Sequence, residues 1–255
     1  YNNSFQFISW KTADLNPNTL KQYHIIINLC GLSIGKHRWS NKIKQKIVKS
    51  RTTTSTKLAK ICAQLGRNSP RLFNASAISQ PRKNTLPKNF LQHVSTLWEK
   101  SLTPAVNMDI PVTVMRFAVV LGKKGGALEK ISNPIKFYLG STISGGRQKF
   151  CWVHIQDAVD AIIFLINNPQ LTGPFNIASP QVITQKQLVK AIGKTIHRPI
   201  WFNTPAWIIK LFFGQMGQEL LVNSQSAKPQ RLQLAGYKFK YPSIKTALAQ
   251  IYKSQ

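Results

Sequence analysis

Serine, histidine, arginine and glycine stand in this sequence at spacings that raise acyl-transfer and phosphate-binding chemistry. Ser76, in Asn74-Ala75-Ser76-Ala77, falls where an apolar strand would end, the position at which open α/β sheets hold their ligands. A turn or capping serine is an equal reading on local features alone. No Gly-x-Ser-x-Gly elbow is present, so a hydrolase triad of that form is not encoded. His154 lies between an extended segment and a helix, where a structural histidine is commoner than a base. Arg38, in Lys36-His37-Arg38-Trp39, either stacks on Trp39 at the surface or reaches a ligand from a strand-end loop.

Two glycine-rich runs have the composition of a phosphate loop. Gly122-Lys123-Lys124-Gly125-Gly126 follows a strand and opens a helix, but Leu128 holds the third glycine position. No Asp or Glu sits about twenty residues on to hold a ribose. A substrate-side loop at Gly125 and Gly126 is the better reading. Residues 140–146 fail because a strand, not a helix, follows them. The turn Asn28-Leu29-Cys30-Gly31 is a typical cofactor-facing loop, yet no Gly-x-Gly-x-x-Gly or Gly-x-x-Gly-x-x-Gly precedes it. In a doubly wound sheet that loop follows the first strand, because a pyrophosphate sits on the first helix N-terminus. Tyr1 therefore reads as entering such a fold partway, with the first βαβ unit missing and an exposed sheet edge left behind.

These residues need elements to position them. Strands are expected at 5–10, 25–29, 71–77, 112–121, 150–155 and 175–178. The continuous apolar run 25–29 reads as a strand buried on both faces. Helices are expected at 42–66, from about 90, from 125 toward 139, at 158–166 behind an Asp157 N-cap, and to Ile196 behind a Thr184 cap. The alternation predicts a parallel sheet. From 197 onward the pattern changes to short helices around a strand at 237–241. The division is 1–196, a truncated nucleotide-binding domain, and 197–255, a small C-terminal lobe.

At 255 residues and 43% hydrophobic content, the chain can bury a sizeable core. Three cysteines without paired spacing (Cys30, Cys62, Cys151) argue against a disulfide framework or metal site and for a reducing, cytoplasmic setting. The most apolar stretch, 206–213, is far short of a membrane span and contains Lys210, so no membrane partner is expected. Thirty-five basic residues against seven acidic ones give +28. The lysines are spread along the whole chain without a nucleic-acid-binding motif, which favours solvated helix faces over a specific nucleic-acid site.

Segments along nearly the whole chain resemble atypical short-chain dehydrogenase/reductases of the sugar-nucleotide epimerase-like group. Those segments include Ile26-Ile27-Asn28-Leu29-Cys30-Gly31 with Arg38-Trp39-Ser40, Lys49-Ser50-Arg51, Asn74-Ala75-Ser76-Ala77 and Trp98-Glu99. They continue through Arg116 to Gly122, Gly145-Gly146-Arg147-Gln148, Trp152-Val153-His154, and Pro229-Gln230-Arg231-Leu232 with Ala235-Gly236-Tyr237. The resemblance implies a Rossmann-like doubly wound sheet with a small C-terminal α+β lobe. It also implies an NAD or NADP cofactor touching Asn28, Leu29, Cys30, Gly31, Ala75, Val120 and Leu121. The substrate, a nucleotide-linked or sugar-like small molecule, would meet Gly125, Gly126, Arg147, Gln148 and Trp152.

The resemblance offers Ser76, Arg38 and Ser95 as catalytic candidates, and without a tyrosine–lysine pair the acid–base would have to be His154 or His93, the nearby imidazoles. Arg38, Ser76 and Ser95 are expected to face one pocket, with His154 and Gln148 lining its substrate side. The superfamily's Tyr-x-x-x-Lys pair is expected to have no match in this chain, an absence typical of this group. Ser95 stands where relatives often carry cysteine in place of that lysine. Gln80 and Pro81 replace an aromatic pair. With the glycine loop absent as well, weak cofactor binding and impaired chemistry are expected. The alternatives are a non-catalytic regulatory or binding protein, some relatives carrying cell-division labels, and a basic nucleic-acid-associated protein. A second copy or a partner strand at the open edge is the association expected.

Overall fold

A computed structural model describes Trp10 and residues 16–81, 85–123 and 125–253. The strand expected at 5–10 lies outside the described residues except for Trp10. β1 (Ile25–Asn28) leads by a loop to α1 (Asn41–Leu65), whose N-cap Ser40 accepts the Ile43 N–H. β2 (Arg71–Ala77) is followed by α2 (Phe90–Lys100), capped by Asn89, and by α3 (Thr103–Val106). β3 (Val112–Phe117), β4 (Val119–Leu121) and α4 (Gly126–Lys136) come next. β5 (Ser141–Ile143), β6 (Lys149–Phe150), β7 (Trp152–His154), α5 (Ile155–Asn167), β8 (Gly173–Ile177) and β9 (Ile183–Thr184) follow. The chain ends with α6 (Gln185–Thr195), β10 (Phe202–Thr204), α7 (Ala206–Gly217), a π turn at Gln218–Val222, α8 (Gln230–Leu234) and α9 (Ile244–Lys253).

The main sheet has the order β1-β2-β3-β8 and is parallel throughout, as the alternation predicts. Residue alternation along β2 decides what each face does. Leu72, Asn74 and Ser76 point to the face covered by α1 and α2, while Phe73 joins Met115, Phe175 and Ala161 under α5. A further core joins β4, α4, α6 and α9 through Leu121, Leu128, Ile192 and Leu248. Residues beyond 197 thus share their apolar interior with the segment 121–192.

Several sequence expectations change. The single strand at 112–121 divides at Ala118, whose N–H bonds to Ile177 while Val119 N–H bonds to Cys151. The chain there leaves the main sheet and pairs β4 with β7, a switch that an unbroken apolar run does not betray. β1 pairs only with β2 among the described residues, so Ile27 is 44% exposed rather than buried on both faces. The helix expected from 158 starts at Ile155, and its N-cap is His154, not Asp157. No strand forms at 237–241. The Asp157 carboxylate instead accepts the N–H groups of Lys240 (2.7 Å) and Tyr241 (2.9 Å), doing for that segment what a ladder would have done.

Candidate functional site

The carboxyl ends of β2 and β3 bring together four side chains. Ser76 and Arg116 are register partners, so both point to the face beneath α2. Glu99, from the last turn of α2, accepts the Ser76 hydroxyl at 2.7 Å and the Gln80 amide at 2.7 Å. Arg116 grips the same carboxylate with Nε at 2.8 Å and Nη2 at 2.7 Å. This fork geometry suits a partly buried charge pair. Ser76 is buried, whereas Glu99 and Arg116 each keep a fringe of solvent contact. Chemically the cluster is a polar floor with one carboxylate that is already saturated.

Beside it lies a second polar network at the ends of β1 and β2. Asn28 donates to Asn74 Oδ1 at 2.6 Å and to the Ser55 hydroxyl at 3.0 Å, and Ser55 in turn accepts the Trp98 indole N–H. Asn28 Oδ1 takes the Cys30 N–H at 3.1 Å. Asn28, Ser55, Asn74 and Trp98 are all buried and bonded, so Asn28 shapes the exposed loop after β1 from beneath. Arg51 fixes that loop further, donating to Ile47 and Leu32 carbonyls at 3.0 Å each. An ideal Cβ on Gly31 would stand 3.2 Å from the Arg51 guanidinium carbon, which is why glycine fits there. Burial lowers the Arg51 pKa from its ordinary value.

Each remaining candidate has a place. Leu29, Cys30 and Gly31 are exposed above the strand end. Ala75 is buried in β2, and Leu121 is wholly buried in the core, so its side chain offers a ligand nothing; Val120 is partly buried. Trp152 is also wholly buried, with no partner for its indole N–H. Ser95 is buried and its hydroxyl lies 2.6 Å from the Ser79 carbonyl and 2.9 Å from that of Leu91, tying α2 to the strap after β2. Gln148 bridges the carbonyls of Ile143 (3.2 Å) and Leu221 (2.9 Å). Gly125, Gly126 and Arg147 are exposed, the glycines with positive φ at the start of α4.

His154 belongs to the interior behind α9. Its Nδ1 accepts Gln156 N–H at 3.1 Å, so Nε2 carries the proton and donates to Gln250 at 2.9 Å. Its ring lies 4.1 Å from that of Tyr241. Burial pushes its pKa down, against the opposing pull of the Gln250 bond and the Asp157 and Asp160 charges. Tyr241-Pro242-Ser243-Ile244-Lys245 carries the Tyr-x-x-x-Lys spacing, but across the entry to α9 rather than along a helix near Ser76.

Arg38 approaches from the loop before α1. Its guanidinium lies against Gly214, where a Cβ would meet Nε at 3.1 Å and where α7 breaks with φ 59°. Neighbouring Trp39 packs on Phe90 with ring centres 4.8 Å apart. Glu219, just after α7, accepts the Phe90 and Leu91 N–H groups at 3.1 and 2.9 Å, capping α2 from the C-terminal segment. The structure therefore gathers Ser76 and Ser95 around α2 and sets Arg38 near its N-terminus, while His154 stands with another element. Sequence reasoning missed Glu99 and Glu219 as structural partners. Their signal was scarcity, since each is one of seven acids in a chain of net charge +28.

An epimerase family protein of Staphylococcus saprophyticus is 33% identical over 252 residues, spanning 95% of this chain and 84% of its own. A counterpart in Staphylococcus aureus strain N315 is 30% identical over 257 residues, spanning 97% and 85%. The chain belongs to the epimerase family. Residues 204–251 match a domain of unknown function, DUF1731. Among solved structures, a human epimerase family protein crystallised with NADPH superposes with a TM-score of 0.84 at 22% identity, covering 94% of this chain and 86% of that one. Thermus thermophilus UDP-glucose 4-epimerase in complex with NAD gives 0.70 at 12% identity, covering 94% and 82%. The fold is thus the Rossmann-like α/β fold of epimerases.

Proposed function

We propose that this epimerase family member binds a nucleotide-linked or sugar-like small molecule at the carboxyl ends of β1 to β3, with a nicotinamide cofactor held weakly. The observation that carries the reading is the Ser76–Gln80–Glu99–Arg116 cluster at the end of a parallel sheet, the place where open α/β folds bind ligands. Support comes from the family itself and from solved relatives of the same fold that hold NADPH or NAD.

Leu29 and Gly31 are exposed at the end of β1, and the family resemblance would set them against the nicotinamide and its ribose. A pyrophosphate needs free amides at a helix N-terminus. In the loop after β1, Cys30 N–H is engaged by Asn28 and Leu32 N–H by Ser50, and at the start of α1 Ile43 N–H is engaged by its Ser40 cap, so this loop does not supply such a set.

A second reading, that the protein senses its ligand without turning it over, is favoured by the committed state of the candidate acid–base groups. The Ser76 hydroxyl is given to Glu99, Ser95 to backbone carbonyls, and both His154 nitrogens are bonded. Titration of the purified chain with a panel of uridine- and thymidine-diphosphate sugars tests the binding claim. Saturable binding weakened at least about tenfold by Arg38→Ala is expected, the loss of one charge-assisted contact. Absence of saturable binding by every member would contradict it.

A further inference from the structure

The sequence 206–213 is apolar around nearly its full circumference, and such a helix ordinarily lies buried on all sides. In the fold it is covered on one side only. Ile209 and Met216 of α7 turn inward, while Trp207 (66% exposed), Leu211 and Phe212 (67%) face outward. The exposure continues upstream. β10 pairs with β5, and both Trp201 and Phe202 donate their N–H groups to the Gly140 carbonyl. Exposed Trp201 (72%) therefore sits beside exposed Phe137 and Leu139. Pro205 then carries the chain from β10 straight into α7.

The charge around this face is of one sign. Segments 131–147 and 185–217 contain seven basic residues and no acidic one. Lys210 stands on the exposed side of α7 itself, and the Arg198 guanidinium lies 4.6 Å from the Tyr138 ring centre. Two copies of so basic a face repel each other. A surface that is apolar, aromatic and ringed by cations is complementary to anionic lipid headgroups over an acyl interior. Tryptophan rings prefer that boundary.

We infer that the face formed by α7, β10 and the end of α4 docks on an anionic bilayer surface. Among the described residues no helix is long and apolar enough to cross a membrane, and docking needs none: α7 lies in the interface with its outer side immersed. The absence of a span, on which the sequence expectation of no membrane contact rests, leaves this mode open. The inference is independent of what binds at the sheet ends.

Co-sedimentation with phosphatidylglycerol–phosphatidylcholine vesicles, against phosphatidylcholine alone, tests it at physiological salt. The variant Trp207→Ser/Leu211→Ser/Phe212→Ser keeps every charge and alters only exposed positions. Binding to anionic vesicles is expected, with affinity at least about tenfold weaker in the variant, the equivalent of 1.4 kcal/mol. Equal binding by the variant would show that charge alone holds the protein and would overturn the inference, as would no binding at all. A concentration-dependent dimer abolished by the same variant would assign the face to a second copy instead. Should the variant fail to fold, the unaltered chain decides. Trp39, Trp98 and Trp152 are buried and Trp10 is 42% exposed, so in a Trp10→Phe background brominated acyl chains should quench emission through Trp201 and Trp207, and unquenched emission refutes docking.

Discussion

Glu99 shows how a single carboxylate organises the sheet end. It is shared by Ser76, Gln80 and Arg116, so removing its charge leaves a partly buried guanidinium without its fork. Glu99→Gln should destabilise the fold by about 2 kcal/mol, between the values for exposed and buried pairs, as read from urea unfolding. A change within error would mean that solvent replaces the carboxylate. Ser76 was legible from its place after an apolar run, whereas its partner, 23 residues on, was not, because a register pairing with Arg116 precedes any local signal. His154 gives a pH prediction. Its folded pKa lies below the usual 6.5 because burial disfavours the imidazolium, so the unfolded chain takes up its proton first. This contribution is complete above pH 6.5 and is lost as pH falls below it. Unfolding free energies on either side of that value should differ less in His154→Gln than in the unaltered chain. Equal pH dependence in both would place the sensitivity elsewhere. The thiols differ by place as well: Cys30 is exposed, while burial raises the pKa of Cys62 and Cys151. One fast-reacting thiol is expected with a disulfide reagent in the native state, and three after unfolding.

At the scale of elements, the clearest dependence is that of α2 on a segment far along the chain. Its first two N–H groups are capped by Glu219, 128 to 129 residues away, which also holds Gln215 at 2.7 Å. Glu219→Ala should cost about 2 kcal/mol, since it removes a cap and leaves amides facing an apolar surround. The loss should appear as early hydrogen exchange at Phe90 to Leu91; unchanged protection would show that water caps the helix equally well. No periodicity rule reaches across such a separation. What periodicity did reach was the parallel core: 71–77 matches β2 residue for residue, and Thr184 caps α6 in a complete capping box. The failures share a cause. At Ala118, at His154 and at 237–241 the backbone exchanges one set of partners for another, and the choice is made by distant groups such as Ile177 and Asp157.

For the molecule as a whole, the net charge of +28 coexists with acids spent on structure: Glu99 on an arginine, Asp157 and Glu219 on backbone amides. The lysines are spread along the whole chain, and among the described residues most exposed aromatics gather on the one face formed by α7, β10 and the end of α4. Binding to duplex DNA should be weak and sequence-independent, and should vanish as salt rises. A defined footprint at physiological salt would overturn this. The central claim is that an epimerase-family sheet is present while the backbone amides after β1 are bonded to Asn28, Ser50 and Ser40 and are not free for a pyrophosphate. Isothermal titration of the purified chain with NADH and NADPH tests it most directly. The account predicts dissociation constants weaker than micromolar for both; micromolar or tighter binding to either would contradict it and transfer the loop's role to another element, with Gly122 to Gly126 the first to test.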